Sequence, residues 1–145
     1  MEKQDYTASL MVNATAQETF KSINSVPEWW STNFEGRSEK LNDIFTVRFG
    51  EVFVTVKIIE LIPGRKIVWH VMDCHKPWLA NKKEWNGTKM SWEISEKDKK
   101  TQIRFTHLGL VPEIECFDTC SNAWNQYLQQ SLLSLITTGK GQPNP

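Results

Sequence analysis

Apolar positions along this chain keep two different rhythms, and the change between them divides it. TASLMV (7–12) alternates as a first strand does, then gives way to NATAQETF, where Thr15 and Glu18 stand at capping-box spacing. That spacing satisfies free N–H groups at a helix start, so a helix over about 16–24 is predicted, with Phe20 and Ile23 facing inward. Pro27 suits the first turn of a second, short helix through Glu28, Trp29 and Trp30. From about 43 to 108 the period becomes two. DIFTVRF, FVTVKIIEL, RKIVWHVM, TKMSWEIS and KTQIRFTHL are rich in β-branched and aromatic residues and read as strands. Gly50-Glu51, Pro63-Gly64 and the charged run Glu96–Lys100 mark turns between them. The longest connection, about 73–86, carries Trp78 and Trp85, and its length fits a lid or an interaction edge.

The last segment returns to the helical period. Pro112, Glu113 and Glu115 sit where a helix start favours a missing N–H and negative charge, and Gly139 stands where a helix ends. The pattern predicts one helix over 113–138, about 39 Å long at 1.5 Å per residue. Cys116, Phe117, Cys120, Ala123, Trp124, Tyr127, Leu128, Ser131 and Leu135 share its apolar face. The order is strand, two short helices, a meander of antiparallel strands, and a long amphipathic helix. This predicts a single α+β domain over 1–145, with a curved antiparallel sheet of about six strands wrapped around the terminal helix. A strongly curved sheet gripping such a helix tends to leave a gap, and that gap is a candidate cavity.

Composition narrows the function. Seventeen basic and seventeen acidic side chains cancel, so no field favours a nucleic-acid backbone or an anionic membrane. MEKQDYTASL lacks the apolar run of a secretion signal, and no stretch approaches eighteen consecutive apolar residues. Three cysteines without a signal peptide point to a reducing cytoplasm. Seven tryptophans are more than packing alone requires in a chain of this length, and indole rings are favoured at ligand sites.

Candidate chemistry centres on THLGLVPEIECFDTC (106–120). Cys116 and Cys120 stand four apart, with His107 nearby and Cys74-His75 in the long connection. A zinc site normally shows two close ligand pairs, and adjacent Cys-His cannot easily aim both side chains at one ion. A Cys116–Cys120 disulfide within one helical turn is expected to be strained. The favoured reading makes both cysteines wall residues beside Trp124 and Leu128. His107 alternates with Ile103 and Phe105 and is expected inward, either as a bonded core histidine or at a pocket rim. As a catalytic base it needs a partner, and Tyr127 and Ser131 are the candidates that the pattern offers. Trp69 and Trp92 are each compatible with ordinary core. Taken with Trp29, Trp30, Phe105 and Trp124 they supply ring area enough to wall a cavity. Arg48 and Lys57 could neutralise a ligand carboxylate from its edge, although solvated strand faces usually carry such residues. TTGKG (137–141) follows a helix instead of opening one, so it is no phosphate loop.

Four stretches carry a resemblance to a known family: WWSTNFEG (29–36), ELIPGRKIVW (60–69), TQIRFTHLGL (101–110) and CSNAWNQYLQQSLLSLITTGKG (120–141). Together they resemble the START-like (SRPBCC) helix-grip superfamily. Within it they look closest to small bacterial proteins similar to the C-terminal domain of activators of the ninety-kilodalton heat-shock chaperone ATPase. The resemblance implies a hydrophobic cavity between sheet and long helix, used across the superfamily for lipids, sterols, polyketides or plant hormones, with no shared catalytic triad and no obligatory cofactor. The leading expectation is a binding protein for an apolar or lipid-like molecule, contacted by Trp29, Trp30, Trp69, Trp92, Phe105, His107, Cys116, Cys120, Trp124 and Leu128. A second is a co-chaperone-like module whose connection presents Lys76, Trp78, Lys82, Lys83 and Trp85 outward to a chaperone. A third is a cyclase or dehydratase using His107.

Overall fold

The computed structural model describes residues 4–144. Strand β1 (Tyr6–Val12) leads into α1 (Ala16–Asn24), whose Thr15 and Glu18 form the expected capping box. Pro27 opens the short α2 (Val26–Trp29). There follow β2 (Phe34–Gly36), β3 (Ile44–Phe49), β4 (Val52–Ile62), β5 (Lys66–His75), β6 (Lys89–Lys97) and β7 (Lys100–Leu108). The strands form one antiparallel sheet in the order β1-β7-β6-β5-β4-β3-β2. It has seven strands where about six are expected; the extra one is β2, too short to show a period. Because β1 lies at one edge and β2 at the other, α1 and α2 must carry the chain across the sheet's inner face.

Alternation decides what faces inward. Ile103, Phe105 and His107 of β7, Met90, Trp92 and Ile94 of β6, and Ile67, Trp69 and Val71 of β5 are all buried. Two bulges bend the β4–β5 pair: Thr55 pairs with Asp73 while Val56 pairs with Val71, and Ile58 pairs with Trp69 while Glu60 pairs with Val68. Each bulge adds a residue to one strand and increases the local twist, which helps the sheet curve around a helix.

The terminal helix departs from expectation in two ways. It begins at Phe117, not 113, because the preceding residues close i→i+3 turns, Ile114 N–H to Val111 and Phe117 N–H to Ile114. Glu115 does not cap this helix; its carboxylate accepts the Ala80 N–H at 3.0 Å. The helix is also not uniform. α3 (Phe117–Gln126) passes into a π-helical segment (Tyr127–Leu132) and then α4 (Leu133–Thr138). Such a wider turn re-aims the side chains around it. Gly139 then ends the helix at φ 85°, a left-handed conformation that glycine adopts without steric cost.

Beyond Gly139 the chain folds back on α2. The Ser131 hydroxyl donates to the Trp29 carbonyl at 2.6 Å and accepts the Gln142 N–H at 2.8 Å. Asn144 N–H donates to the Trp30 carbonyl at 3.0 Å, so the last residues strap the Trp29-Trp30 segment in place.

Candidate functional site

Most of the space between sheet and helix is filled. Trp29, Trp69, Trp92 and Phe105 pack against one another there: Trp69 and Trp92 meet edge to face at 5.2 Å, and Trp92 and Phe105 lie 4.5 Å apart. Each is fully buried. The Trp29 N–H donates to the Ile23 carbonyl at 3.0 Å, whereas the indole N–H groups of Trp69 and Trp92 have no acceptor among the described residues.

His107 belongs to this filled region. The Trp124 indole N–H donates to its Nδ1 at 3.1 Å, and its Nε2 lies 2.9 Å from the Thr88 hydroxyl. That hydroxyl donates onward to the Trp85 carbonyl at 2.6 Å, so Nε2 is left as the donor and the ring is the neutral Nε2–H tautomer. Burial, with the charge of Lys76 acting in the same direction, pushes its pKa down to about 3. The expected partners are corrected: Thr88 and Trp124 bind the ring, while Ser131 is engaged with Trp29.

The open space lies toward the β3–β4 hairpin. It is a pocket of about 170 Å³ lined by Trp30, Phe49, Val52, Val54, Lys76, Trp85, Cys120, Ala123, Trp124 and Tyr127. Its rings form a continuous belt. Tyr127 meets Phe49 at 6.1 Å, Phe49 meets Trp30 at 6.1 Å, Trp30 meets Trp124 at 5.1 Å, and Trp124 stacks on Trp85 at 6.1 Å. Exposed Ala123 stands at the mouth. Of the residues expected to contact a ligand, Trp30, Cys120 and Trp124 line this pocket. Trp29, Trp69, Trp92, Phe105, His107, Cys116 and Leu128 lie behind it in the core.

Lys76 is the residue that the sequence misplaces most. Expected outward, it is 7% exposed, with its ammonium 4.0 Å above the Trp85 ring. Burial draws its pKa down to about 8, with the charges of Cys74 and Glu84 pulling the other way. The reason lies in β5. Its inward set Ile67, Trp69, Val71 would continue to Asp73 and His75, but Met72 is the bulged residue and reverses the parity. Cys74 and Lys76 therefore turn inward while His75 stacks on Phe53 at 6.0 Å. Trp85, also expected outward, is buried beneath Lys76. Exposed Trp78, Lys82 and Lys83 do face outward, Lys83 in a 2.7 Å ion pair with Asp73. Hydrogen bonding from Lys83 and Asn86 lowers the Asp73 pKa. Phe49 was legible by alternation with Phe45 and Val47, as was its neighbour Arg48 on the opposite side. Arg48 pairs with Glu35 at 3.3 Å and lies over the Phe53 ring, and Lys57 shares that outer face, so neither borders the pocket.

The cysteine expectation is corrected in part: Cys120 lines the pocket as expected, but it is paired with Cys116. Cys116 and Cys120 are joined as a disulfide, with Cα atoms 5.4 Å apart. Because the helix begins late, Cys116 is its N-cap rather than part of the first turn, and the separation falls in the usual range for a bridge. The Cys116 N–H donates to Glu84 at 3.0 Å, tying the β5–β6 connection to the helix start. Cys74 is free and buried, and burial raises its thiol pKa. Among the described residues no three His, Cys, Asp or Glu side chains converge to hold a metal, and no helix is long and apolar enough to cross a membrane.

Comparison with solved structures places this fold among close architectural neighbours. The Aha1 dimer protein from Colwellia psychrerythraea superposes with a TM-score of 0.78 at 20% identity, covering 95% of this chain and 99% of that one. A protein from Staphylococcus saprophyticus gives 0.71 at 11% identity, covering 97% of each chain. DynU16, of the dynemicin biosynthetic locus, gives 0.65 at 15% identity; 95% of this chain aligns with 49% of that one. At such identities the likeness is one of fold. No curated protein sequence matches the chain. The family model described as Activator of Hsp90 ATPase homolog 1-like protein matches residues 18–136. The helix-grip architecture expected from the sequence is therefore the architecture found, and the chain belongs to the Activator of Hsp90 ATPase homolog 1-like family.

Proposed function

We propose that the protein binds a small, mostly apolar molecule in the pocket between the β3–β4 hairpin and the terminal helix. The observation that carries this reading is the belt of five rings around an open pocket in an otherwise filled interior. Trp30, Trp85 and Trp124 are buried and Phe49 and Tyr127 half-buried, so the rings border this small space and not bulk solvent, and an apolar molecule within it would supply contacts that the walls lack. The pocket's volume sets a limit. A cavity of about 150 Å³ accepts one benzene, so at about 170 Å³ this one suits a ring or a short chain, not a sterol. Native mass spectrometry of freshly purified protein tests the reading, together with tryptophan emission on titration with benzyl alcohol. A saturable change in emission that Ala123→Trp abolishes by plugging the mouth is the expected result. A change that is the same in the plugged variant would place binding elsewhere.

A second reading follows from family membership and one surface feature. Trp78 is 48% exposed on the β5–β6 connection, a suitable anchor for a protein partner such as the chaperone for which the family is named. Stimulation of that chaperone's ATPase by the wild-type protein and its loss in Trp78→Ala would support this reading; equal activity in both would end it. The cyclase or dehydratase reading gains nothing from His107, because both ring nitrogens are already bonded and no carboxylate orients it.

A further inference from the structure

The proposed ligand-binding reading leaves the charge of the ligand open, and Lys76 addresses it. Lys76 alone among the ten lining residues carries charge at neutral pH. The ion pairs among the described residues are Arg48–Glu35, Lys66–Glu60 and Lys83–Asp73, and none involves Lys76. Glu84, the nearest acid by its effect on Lys76, is engaged instead with the Cys116 N–H at 3.0 Å. Lys76, a residue only 7% exposed, thus holds its ammonium against the face of Trp85 with no carboxylate partner. A ring face compensates only part of what an ammonium loses on leaving water. A counter-charge entering through the mouth would give this ammonium the partner that the walls lack.

Resting on that reading, we propose that the pocket's ligand is a small aromatic or short-chain carboxylate, its apolar body within the belt of Trp30, Phe49, Trp124 and Tyr127 and its anionic end on Lys76. The geometry separates these two tasks. The belt offers ring faces, whose negative quadrupole repels an anion, and Lys76 and Trp85 close one side of it, where the ammonium supplies the positive charge. The anion has one place to go. A ligand oriented in this way would be distinguished from a neutral molecule of the same shape by the lysine alone, since every other wall contact is common to both.

The experiment is a calorimetric titration of benzoate and benzyl alcohol, which share a ring and differ in charge, into wild-type protein, Lys76→Met and Lys76→Gln. Wild type is expected to prefer the carboxylate at least tenfold, and both variants to lose that preference. Equal affinity of wild type for the two probes, or a carboxylate preference that survives in both variants, would overturn the proposal while leaving apolar binding in the pocket intact. Failure of both probes to bind wild type would instead count against the binding reading itself. Lys76→Gln keeps the test decisive if the methionine variant does not fold.

Discussion

Two regions of this molecule are built from the same material and do opposite things. Beneath the helix, Trp29, Trp69, Trp92 and Phe105 interlock until no open space remains between them. Toward the β3–β4 hairpin, Trp30, Phe49, Trp85, Trp124 and Tyr127 stand around a space they do not fill. Each region also contains one titratable nitrogen base. His107 in the core is neutral and bonded at both nitrogens; Lys76 at the pocket is charged and has no ion-pair partner. Aromatic content therefore does not distinguish a core from a binding site. Closure does: the core rings pack against one another, whereas the pocket rings border a space they leave open.

Substitutions that confuse the two regions should reveal the difference. The largest effect is expected from Trp92→Ala. Removing a fully buried ring from an interlocked set should cost about 3–5 kcal/mol, read as a lower midpoint in urea denaturation. Next is acid. His107 has a folded pKa of about 3, below its ordinary 6.5, so between these values the unfolded chain binds the extra proton. Its contribution is complete above about pH 6.5 and is lost as pH falls toward 3, at up to about 1.4 kcal/mol per pH unit. His107→Gln can still accept from Trp124 and donate to Thr88, and it should flatten this part of the acid profile.

Ser131→Ala removes the group that joins the Trp29 carbonyl to the Gln142 N–H and should cost about 1–3 kcal/mol. It tests whether the returning C-terminal residues hold Trp30 against the pocket. Lys76→Met should act in the opposite direction and raise the stability of the empty protein by about 1 kcal/mol at pH 7. The sign follows from a folded pKa near 8, below the ordinary 10.5: the cost of burying the charge is present below 8 and is relieved as pH rises from 8 toward 10.5. The advantage of Lys76→Met should shrink over that interval. The groups around Lys76 that also titrate are Cys74 of β5, Glu84 of the connection, His107 of β7 and Tyr127 of the π segment, and urea titrations of the two proteins at matched pH remove their common contribution. The smallest effect belongs to Arg48→Ala, whose half-exposed ion pair with Glu35 should contribute less than about 0.5 kcal/mol.

The fold was legible because its elements repeat a period. Thr15, Glu18, Pro27 and Gly139 punctuate helices in the sequence as they do in the structure, and Ile103, Phe105 and His107 alternate inward as read. The site was legible only in part because it depends on breaks in those periods. Met72 reverses the parity of β5 and turns Lys76 inward; no local pattern marks it, since it is set by pairing with β4. Glu84 and Glu115 make contacts between the β5–β6 connection and the helix start that spacing cannot show. Nor does the sequence tell which tryptophans pack and which stand apart, because that is decided by residues distant along the chain, such as Ser131 holding Trp29.

The indole N–H resonances offer the most direct measurement, because the tryptophans divide between the two regions. In a ¹H–¹⁵N spectrum recorded with saturating benzoate, the signals of Trp30, Trp85 and Trp124 should shift while those of Trp69 and Trp92 stay in place. Shifts confined to Trp69 and Trp92, or no shift at any indole, would contradict the claim that the open pocket is where this protein binds.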